Sequence, residues 1–443
     1  MASSADSACS QQKAKKAKIE VEEKDRLNEL PGETQRIILS LLPFKDAVKT
    51  SILSRSWANL WESAVTKLDF DETNLSTKRR TQFREWIKRF VARQQRNDDA
   101  SSPIPKQQLK KFRVSFQLAN QCCSNGDVDS WVKFALSKRV ESLDLSFVSC
   151  RYYHHNYVFP CANHIKTPTG LSEIKPLRSL RFSHVDVDDE TIQHLISNCP
   201  HLEELAVTMS DSLVTLSIPA AAAAAAAALK RLELRDCRLL KSLEIADVPS
   251  LTHFTLLGLG YYQPMELRME KFATLVDLRI NIREDDVTFA FISSHAAQLA
   301  ALAMRVESEG SWFPNVVEFT RLEVLEVETE GGVFSNVIRL IALINACPRL
   351  HTLRLSFKRF EQERIILQHP NVDRVSRESI RVVEISGFRG CWTDSHFVQY
   401  VLGYFVGLER IVVHCNNKVG YVAKQQAREF KSRVSPAIDF VIM

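Results

Sequence analysis

Long apolar runs are missing from this 443-residue chain, and their absence excludes several classes of protein. No stretch approaches the roughly 18 consecutive apolar residues that a membrane-spanning helix needs, so we expect no membrane partner. The first residues, MASSADSACSQQKAKKAK, contain no apolar segment of a secretory signal peptide. The ten cysteines show no framework spacing, so we expect reduced thiols and a location in the nucleus or the cytoplasm.

Catalytic motifs are missing as well. The sequence contains no Walker loop, no G-x-G-x-x-G, no G-x-S-x-G, no H-E-x-x-H and no paired C-x-x-C. The densest group of metal-ligand residue types lacks the spacing of a zinc finger. That group is Cys150, His154, His155, Cys161 and His164. We therefore expect neither an enzyme nor a metal or cofactor site.

A large net charge is the third absence. Lysine and arginine number 58 and aspartate and glutamate 53, and the formal net charge of +5 does not call for nucleic acid. The length suits two or three folded units. Residues 1–24 are polar and aperiodic, so we interpret them as a disordered, solvated tail. The tail's lysines leave a nuclear-import patch open as an alternative.

The stretch from Asp25 to Phe70 has the pattern of three short helices. Proline suits the first helical position because it needs no N–H there, so we place Pro31 at the start of the first helix and Pro43 at its end. A second helix follows, and Ser54 is predicted to cap a third helix that carries Trp57. The first helix has apolar residues at helical spacing: Ile37, Ile38, Leu41 and Leu42. Helices this short do not bury their own apolar faces, so a partner is expected to cover them.

The same stretch resembles a plant F-box. It reads D-R-L-x-x-L-P at the start, I-L-S-x-L-P-x-K-D-A-V-x-T-S-x-L-S-R in the middle and W-x-x-L-W at the end. The resemblance implies docking onto a Skp-type adaptor and, through it, onto a cullin. Carried over by position, the residues that form or support the adaptor-facing surface are Leu30, Pro31, Ile38, Leu39, Leu42, Pro43, Val48, Leu53 and Trp57. Thr34 and Gln35 stand where the family usually has aliphatic residues, and Ser56 replaces a usual Arg or Lys, which predicts less apolar area on the first helix.

Residues 71–106 have the pattern of an amphipathic basic helix followed by a linker. The apolar residues at helical spacing are Phe83, Trp86, Ile87, Phe90 and Val91. Basic residues crowd the other faces, namely Lys78, Arg79, Arg80, Arg84, Lys88, Arg89 and Arg93. We interpret this helix as packing its aromatic side on the next domain with its basic side in water. A nucleic-acid or membrane surface is the alternative.

From residue 107 to residue 375 one pattern of the L-x-x-L-x-L type keeps returning, for example as LRSLRF, LKRLEL and LEVLEV. Its key positions, continued beyond that range, are Leu180, Leu205, Leu232, Phe254, Leu278, Leu302, Leu325, Leu353, Val383 and Ile411. Their intervals of 22 to 30 residues match the period of leucine-rich repeats. One repeat does not cover its own inner face, so the pattern predicts an α/β solenoid with a parallel sheet.

The segments that return between these strands are of two kinds. DDETIQHLISNCP and SNVIRLIALINACP each run an apolar-periodic helix into Cys-Pro, which predicts helices on the convex side. Between Leu229 and Leu259 the apolar cores LKRLEL, LKSLEI and LTHFTL follow every 11 residues. That interval leaves no room for a helix and predicts extended return segments.

Residues 376–443 resemble the FBD region that closes many plant F-box proteins with leucine-rich repeats. The resemblance is carried by VVEISGF, by the helical pattern of HFVQYVLGY and by LERIVV. It implies a strand, a helix and a strand that cap the open end of the solenoid. Val419 to Met443 predicts one further helix and a last strand, AIDFVIM.

The F-box resemblance implies a non-catalytic substrate-recognition subunit of an SCF-type (Skp, cullin, F-box) ubiquitin ligase whose repeats bind an unknown protein substrate. Charged positions on or beside the outward-facing strand rows are Glu203, Glu204, Arg231, Glu233, Arg235, Arg279, Glu323, Glu326, His351 and Arg354. One alternative is a repeat scaffold that binds its partner without ubiquitination. Another is a nucleic-acid-binding protein that uses the basic helix, which the modest net charge disfavours.

Overall fold

The computed structural model describes most of the chain, which divides into two compact units. The described residues are 27–58, 60–98, 108–117, 125–148, 156–159, 167–218, 226–246, 248–258, 265–270, 272–282, 286–306, 317–330, 340–359, 378–390, 392–416 and 420–443. The first unit comprises Met1–Asp69 and Ser101–Leu109, and the second comprises Phe70–Ala100 and Lys110–Met443. The three short helices and the repeats therefore belong to different units.

Short helices build the first unit, as the sequence predicts. They are α1 at Gly32–Leu41, α2 at Phe44–Lys49 with a 3-10 turn at Thr50–Ile52, and α3 at Leu60–Ala64. Two details of the prediction are wrong. Pro31 precedes the first helix, and its carbonyl accepts the amide of Gln35 at 3.1 Å. Trp57 lies in a turn before α3, where its amide donates to the Ser54 carbonyl at 3.2 Å. The third helix begins only at Leu60, after the first apolar residue of the predicted helix.

Aromatic rings form the core of the first unit. Phe44 and Trp61 meet edge to face with ring centroids 5.8 Å apart, and Trp57 and Leu39 are buried. Such pairs add about 0.5–1.5 kcal/mol beyond the burial of their area. α1 packs against α3 through this core. Ile37 and Leu41 of α1 remain exposed outside this core.

The second unit is built around one long sheet of β-strands. Its fourteen strands are β1 at Lys67–Asp71, of which Phe70 and Asp71 belong to this unit, β2 at Lys111–Gln117, β3 at Ser142–Val148, β5 at Ser179–Ser183, β7 at Glu204–Thr208, β9 at Arg231–Arg235, β11 at His253–Leu257, β13 at Asp277–Ile282, β14 at Ala301–Val306, β15 at Val324–Glu330, β16 at Thr352–Arg359, β17 at Val382–Phe388, β18 at Arg410–Cys415 and β19 at Asp439–Ile442. They are neighbours in this order, and every pairing from β2 to β19 is parallel. The predicted parallel solenoid is confirmed.

The register of the sheet aligns the key positions of the repeats. Leu180 is opposite Leu205, Leu205 is opposite Leu232, and Leu232 is opposite Phe254. The same row continues through Leu278, Leu302, Leu325, Leu353, Val383 and Ile411 to Phe440. All of these side chains are buried. A slip of one residue would turn the whole row to the other face, so the hydrophobic pattern alone sets this register.

Helices and a second sheet supply the return segments. The helices of this unit are α4 at Thr77–Asp98, α5 at Asn125–Ser137, α6 at Pro168–Ile174, α7 at Asp189–Asn198, α8 at Asp286–His295, α9 at Trp392–Tyr404 and α10 at Gly420–Arg433, and residues 340–345 are also helical. The second sheet consists of β8 at Thr215–Ile218, β10 at Ser242–Ile245 and β12 at Glu266–Met269, and a two-stranded pair consists of β4 at Tyr157–Val158 and β6 at Val185–Asp186. The extended return segments are therefore confirmed. LKSLEI, however, is the return strand β10 and not a core of the main sheet.

The basic helix α4 differs from the prediction at one residue. Its aromatic side packs on the sheet, since Phe70 contacts the rings of Phe83, Trp86 and Phe90 edge to face. Arg84, predicted on a solvated basic face, is instead 4 % exposed. The reason is Glu72, which is 0 % exposed and forms an ion pair with Arg84 inside the unit. The partner carboxylate lies twelve residues earlier, so helical spacing alone does not show it.

The C-terminal residues extend the same sheet. β17, α9 and β18 form the predicted strand, helix and strand, and α10 and β19 form the predicted last helix and strand. α10 packs against β18 and β19 and buries Ala423, Ala427 and Phe430. The last repeats thus cover their apolar side with helices, which a terminal repeat requires.

Candidate functional site

Exposed apolar side chains are concentrated in the first unit. Five of the fifteen large exposed hydrophobic residues in the described part of the chain lie there. We call them the apolar set: Leu27, Ile37, Leu41, Ile52 and Leu53. Leu41 is 79 % exposed and Ile52 is 87 % exposed. Ile37 and Leu41 are four residues apart and share one face of α1.

Covering such side chains is energetically favourable. Full burial of a leucine or isoleucine side chain contributes about 1.5–3 kcal/mol. Contiguous apolar surface on a folded protein usually marks a site for a partner. Apart from Leu27, which precedes α1, the apolar set lies on α1 and directly after α2, so a groove or helix of a partner protein is the surface that fits it.

The nine predicted adaptor-facing residues divide into three groups by exposure. Pro31, Pro43 and Leu53 are exposed. Leu30, Ile38, Leu42 and Val48 are half-buried. Leu39 and Trp57 are buried, so they support the surface from beneath. Whether these residues contact an adaptor stays a prediction.

Ile37, Leu41 and Ile52 are the most exposed members of the apolar set, and none of them was among the nine. The positions carried over from the F-box motif identify which residue types recur, not which face they occupy. The i, i+4 spacing of Ile37 and Leu41 had placed both on the apolar face that a partner is expected to cover, although neither was carried over from the F-box motif.

Polar residues that depart from the F-box pattern hold the first unit together. The Gln35 side chain is 7 % exposed, and its Nε2 donates to the Leu27 carbonyl at 3.0 Å. Ser54 and Ser56 both donate through Oγ to Oδ1 of Asn28 at 2.9 Å. Gln35 and Ser56 thus tie the segment before α1 to the helices. Gln35 removes no apolar area from the surface of α1, because its side chain points inward.

The outward face of the main sheet carries charges of alternating sign. One row across the strands reads Arg113, Asp144, Arg181, Ala206, Glu233, Thr255, Arg279, Ala303, Glu326, Arg354 and Glu384. Neighbours of opposite sign form ion pairs, with 3.5 Å between Arg113 and Asp144 and 3.0 Å between Arg354 and Glu384. Arg279 reaches Glu326 at 3.4 Å across Ala303, whose methyl group leaves room. These charges largely neutralise one another.

The rows beside this one hold the other predicted charged residues. Glu203, Glu323 and His351 lie in the turns just before their strands, and the carbonyl of each accepts two amides of the following repeat. Arg231 is on a strand and lies 3.8 Å from Glu204, which also pairs with Arg181. The sheet therefore brings the predicted charges into one surface, and most of them are members of ion pairs.

An open groove of about 330 Å³ crosses this surface at β5, β7, β9 and β11. It is lined by Arg178, Ser179, Glu203, Glu204, Lys230, Arg231, Thr252 and His253. Hydrogen bonds from Lys230 and Arg178, both at 2.8 Å, hold the pKa of Glu203 below its usual range. Burial and the charge of Arg231 lower the pKa of His253, which is therefore neutral at pH 7. The groove presents paired acidic and basic hydrogen-bonding groups at the surface of the sheet.

The cysteine and histidine group from Cys150 to His164 lies outside the described residues. In the part of the chain that the structure covers, no three His, Cys, Asp or Glu side chains are arranged to hold a metal ion. No described helix combines the length and apolarity needed to cross a bilayer.

Stacked parallel repeats with a separate three-helix unit define a leucine-rich-repeat protein that carries an N-terminal helical domain. Residues 106–437 match the family described as At1g61320/AtMIF1, LRR domain, and residues 27–68 match the F-box domain. Because the first match covers most of the chain, the protein belongs to this leucine-rich-repeat family, with an F-box preceding the repeats. No catalytic domain is among the matches.

Curated relatives share this architecture. The F-box/FBD/LRR-repeat protein At4g26340 of Arabidopsis thaliana is 23 % identical over 403 residues, which cover 85 % of this chain and 90 % of that protein. The F-box/FBD/LRR-repeat protein At5g53840 of the same plant is 24 % identical over 432 residues, with 91 % and 90 % covered. The F-box/LRR-repeat protein At3g03360 is 27 % identical over 260 residues, and the chain covers 50 % of it. The expected plant F-box/LRR family with an FBD region is confirmed.

Proposed function

We propose that this protein is the substrate-recognition subunit of an SCF-type ubiquitin ligase. The observation that carries the proposal is the apolar set within the F-box, above all Leu41 and Ile52, which are 79 % and 87 % exposed. Two side chains of this size are rarely left in water on neighbouring elements without a partner. A Skp-type adaptor, linked to a cullin, is the partner that an F-box implies.

Such a subunit requires no catalytic residue of its own. The ubiquitin thioester is carried by another component, and the receptor raises the effective concentration of a substrate lysine beside it. The F-box supplies the tether. The second unit supplies a long surface for a protein substrate.

The outward face of the main sheet is the surface we assign to the substrate. Its ion pairs are partly exposed, and exposed pairs contribute only about 0–1 kcal/mol each to stability. A substrate that offers its own charges can therefore exchange partners with them at little cost. Their alternating sign favours a substrate segment of mixed charge over a purely acidic or basic one.

The adaptor-binding step is tested by co-purification of the full chain with a Skp-type adaptor. We expect the double variant Leu41→Asp, Ile52→Asp to lose at least about tenfold in affinity, because two buried apolar contacts are replaced by desolvated carboxylates. The matched control is Tyr421→Asp, Val422→Asp, which alters two exposed apolar residues of α10. The control is expected to bind like the wild type.

Failure of the wild-type chain to bind the adaptor would refute the proposal. In that case the second candidate function, a repeat scaffold that binds its partner without ubiquitination, remains. Equal adaptor affinity of the wild type, the double variant and the control would instead show that the contact lies elsewhere on the F-box. Isothermal titration with the purified adaptor distinguishes these outcomes.

We further propose that the protein works in the nucleus or the cytoplasm. The four cysteines in the described residues are free thiols, as a reducing compartment favours. Burial raises the pKa of Cys199 and of Cys237 to about 12, so these two thiols stay protonated. Microscopy of a fluorescent fusion tests the location, and accumulation in the secretory pathway would contradict it.

A further inference from the structure

The last strand of the main sheet has one edge that no described strand covers. β19 pairs with β18 on one side and ends the strand order on the other. The amides of Asp439 and Met443 donate toward the β18 side at 2.8 Å and 2.9 Å. Successive residues of a strand direct their N–H and C=O groups to opposite edges, so those of Phe440 and Ile442 point away from β18. Such groups are available to one more strand.

This edge lacks the features that usually prevent strand addition. Proteins protect edge strands with lysine, proline, a bulge or a covering element. β19 keeps a regular register with β18 and contains neither lysine nor proline. Its one charged residue, Asp439, pairs with Arg410 at 3.5 Å on the outward face of the sheet. Val441 and Ile442 are only half-buried, so an added strand would cover apolar surface on both faces of β19.

α10 borders the open edge with one of its flanks. The helix packs on β18 and β19 through its buried face. Gln426 marks the flank toward β17, because a Cβ at Gly390, just after β17, would lie 3.0 Å from its Cγ. With 3.6 residues per turn, Lys424, Arg428 and Lys431 lie on the other side of the buried face from Gln426. We call these three residues the basic flank, and it is the flank beside the open edge.

The basic flank has no acidic partner in the part of the chain that the structure describes. Lys424, Arg428 and Lys431 are exposed and form no ion pair there. Residues 417–419, which precede the helix and lie outside the described residues, are Asn, Lys and Val and contain no carboxylate. Glu429 is the one acidic residue of α10, and its position on the helix places it on the flank toward β17. An acidic segment at the edge would therefore meet complementary charge.

A second copy of this chain fits the edge less well. Two copies joined through β19 by a two-fold axis would each present the same surface to the other. Neighbouring strands are about 4.8 Å apart, so the two α10 helices, each over its own β18 and β19, would be about 10 Å apart. The two basic flanks would face each other, and like charges placed together oppose association. The charge therefore selects an acidic partner segment over a second copy.

The spacing of the basic flank matches an extended segment. Along the helix axis Lys424 and Arg428 are about 6 Å apart. Side chains at alternate positions of a strand share one face and are about 6.6–6.8 Å apart. Acidic residues at alternate positions of an added strand would thus reach the basic flank. The intervening side chains would lie on the outward face beside Val441.

We propose that the open edge of β19 binds an extended acidic segment of a partner protein as an additional strand of the main sheet. The main chain of the segment pairs with the N–H and C=O groups of Phe440 and Ile442, and its carboxylates bind the basic flank. The site lies in the second unit and uses neither the apolar set of the F-box nor the outward face of the sheet. It is a docking point beyond those of the proposed function.

The charge preference is tested by fluorescence anisotropy of a labelled heptapeptide of alternating glutamate and valine, bound to the full chain. We expect the double variant Lys424→Glu, Lys431→Glu to weaken binding by at least about tenfold, because it removes two charge-assisted contacts and adds repulsion. The matched control is Lys78→Glu, Arg79→Glu, an equal charge change at exposed positions of α4, which packs at the other end of the sheet. The control is expected to change the affinity by less than about twofold.

The strand pairing is tested with the same peptide and the variant Ile442→Pro. Proline removes the outward N–H of Ile442, which β18 does not use, and proline is tolerated in edge strands at such positions. We expect a loss of at least about fivefold in affinity, because one main-chain hydrogen bond is lost and the ring obstructs the edge. Val441→Thr keeps the main chain of the same strand and is expected to bind within about twofold of the wild type.

Four outcomes would overturn the proposal. They are no binding of the peptide by the wild-type chain at about 1 mM, an equal loss in both charge variants, wild-type affinity of Ile442→Pro, and self-association of the wild-type chain that excludes the peptide. The second would indicate general charge attraction, the third would exclude strand pairing, and the fourth would assign the edge to a second copy. Circular dichroism checks the fold of each variant, and unchanged adaptor binding separates this site from the F-box.

Discussion

Left-handed backbone conformations recur at one position in four successive repeats. The residues that directly follow β5, β7, β9 and β11 have positive φ angles: His184 at 54°, Met209 at 55°, Asp236 at 52° and Gly258 at 70°. The amide of each of the first three donates to a carbonyl of the next repeat, for instance Asp236 to Leu257 at 2.8 Å. The repeat geometry therefore imposes this conformation, and only glycine adopts it without steric strain.

Gly258→Ala is expected to destabilise the second unit by about 1–3 kcal/mol. A Cβ at this position would lie 2.0 Å from Oδ1 and 2.9 Å from the backbone nitrogen of Asp236. The control is Gly403→Ala within α9, where nothing lies within 4 Å, and there we expect a gain of about 0.5–1 kcal/mol. Urea unfolding, monitored by circular dichroism, measures the free energy of unfolding of both variants. Equal changes for Gly258→Ala and Gly403→Ala would contradict this account.

The internal position of the Gln35 side chain was not predictable from the pattern of the sequence. Gln35 departs from the F-box pattern, and the sequence predicted a loss of apolar contact there. The side chain instead bonds the Leu27 carbonyl inside the unit. A polar residue in a helix becomes internal when a backbone acceptor lies within its reach, and that acceptor belongs to a segment eight residues away.

At the scale of elements, the strands were the most predictable part of the protein. The key leucines recur at a regular interval, and only one register buries all of them. The interval of 11 residues near LKSLEI misled the assignment of one core, because a strand of the second sheet carries the same alternation of apolar residues as a strand of the main sheet. Periodicity identifies a strand but not the sheet to which it belongs.

The helix α4 was predicted correctly as an element and incorrectly at its centre. Arg84 donates to Glu72 through Nε at 2.8 Å and to the Gln117 carbonyl at 2.6 Å, and its guanidinium lies 5.2 Å from the Phe116 ring centroid. Glu72 in turn accepts the Gln117 amide at 2.8 Å. The buried pair thus links α4 to the loop after β1 and to the end of β2.

Arg84→Met is expected to destabilise the second unit by about 3–5 kcal/mol, because the carboxylate of Glu72 remains buried without its counter-charge. Adding Glu72→Leu to the same chain is expected to recover most of that loss. Arg354→Met serves as the control, since its pair with Glu384 is partly exposed and contributes about 0–1 kcal/mol. Denaturant unfolding of the three variants gives the comparison, and similar losses for Arg84→Met and Arg354→Met would refute it.

At the scale of the whole molecule, the two compact units each have their own buried core. The first is centred on Trp57, Trp61 and Phe44, and the second on the buried rows of the sheet. Units with separate cores unfold as separate cooperative transitions. The chain therefore combines a small unit with an exposed apolar set and a large unit with a long polar face.

Differential scanning calorimetry of the full chain is expected to show two transitions. A Skp-type adaptor at 100 times its dissociation constant is expected to stabilise only the first unit, by about 2.7 kcal/mol. It should therefore raise the midpoint temperature of the smaller transition alone. Leu278→Ala is expected to destabilise only the second unit, by about 2–5 kcal/mol, because Leu278 is fully buried in the sheet. It should therefore lower the midpoint temperature of the larger transition alone. One transition that shifts with both changes would show that the units unfold together.

By itself, the sequence determined the architecture of this protein: the F-box string, the repeat interval and the alternation within each strand admit one arrangement that buries the leucines. The tertiary structure alone decided the roles of particular polar and exposed residues. Gln35 and Arg84 are internal, Arg279 and Glu326 pair across Ala303, and Leu41 and Ile52 remain in water. The physical reason is the distance along the sequence over which each effect acts. Burial of apolar residues follows local periodicity, whereas the fate of a polar or exposed side chain depends on which groups distant in the sequence come within a few ångströms of it.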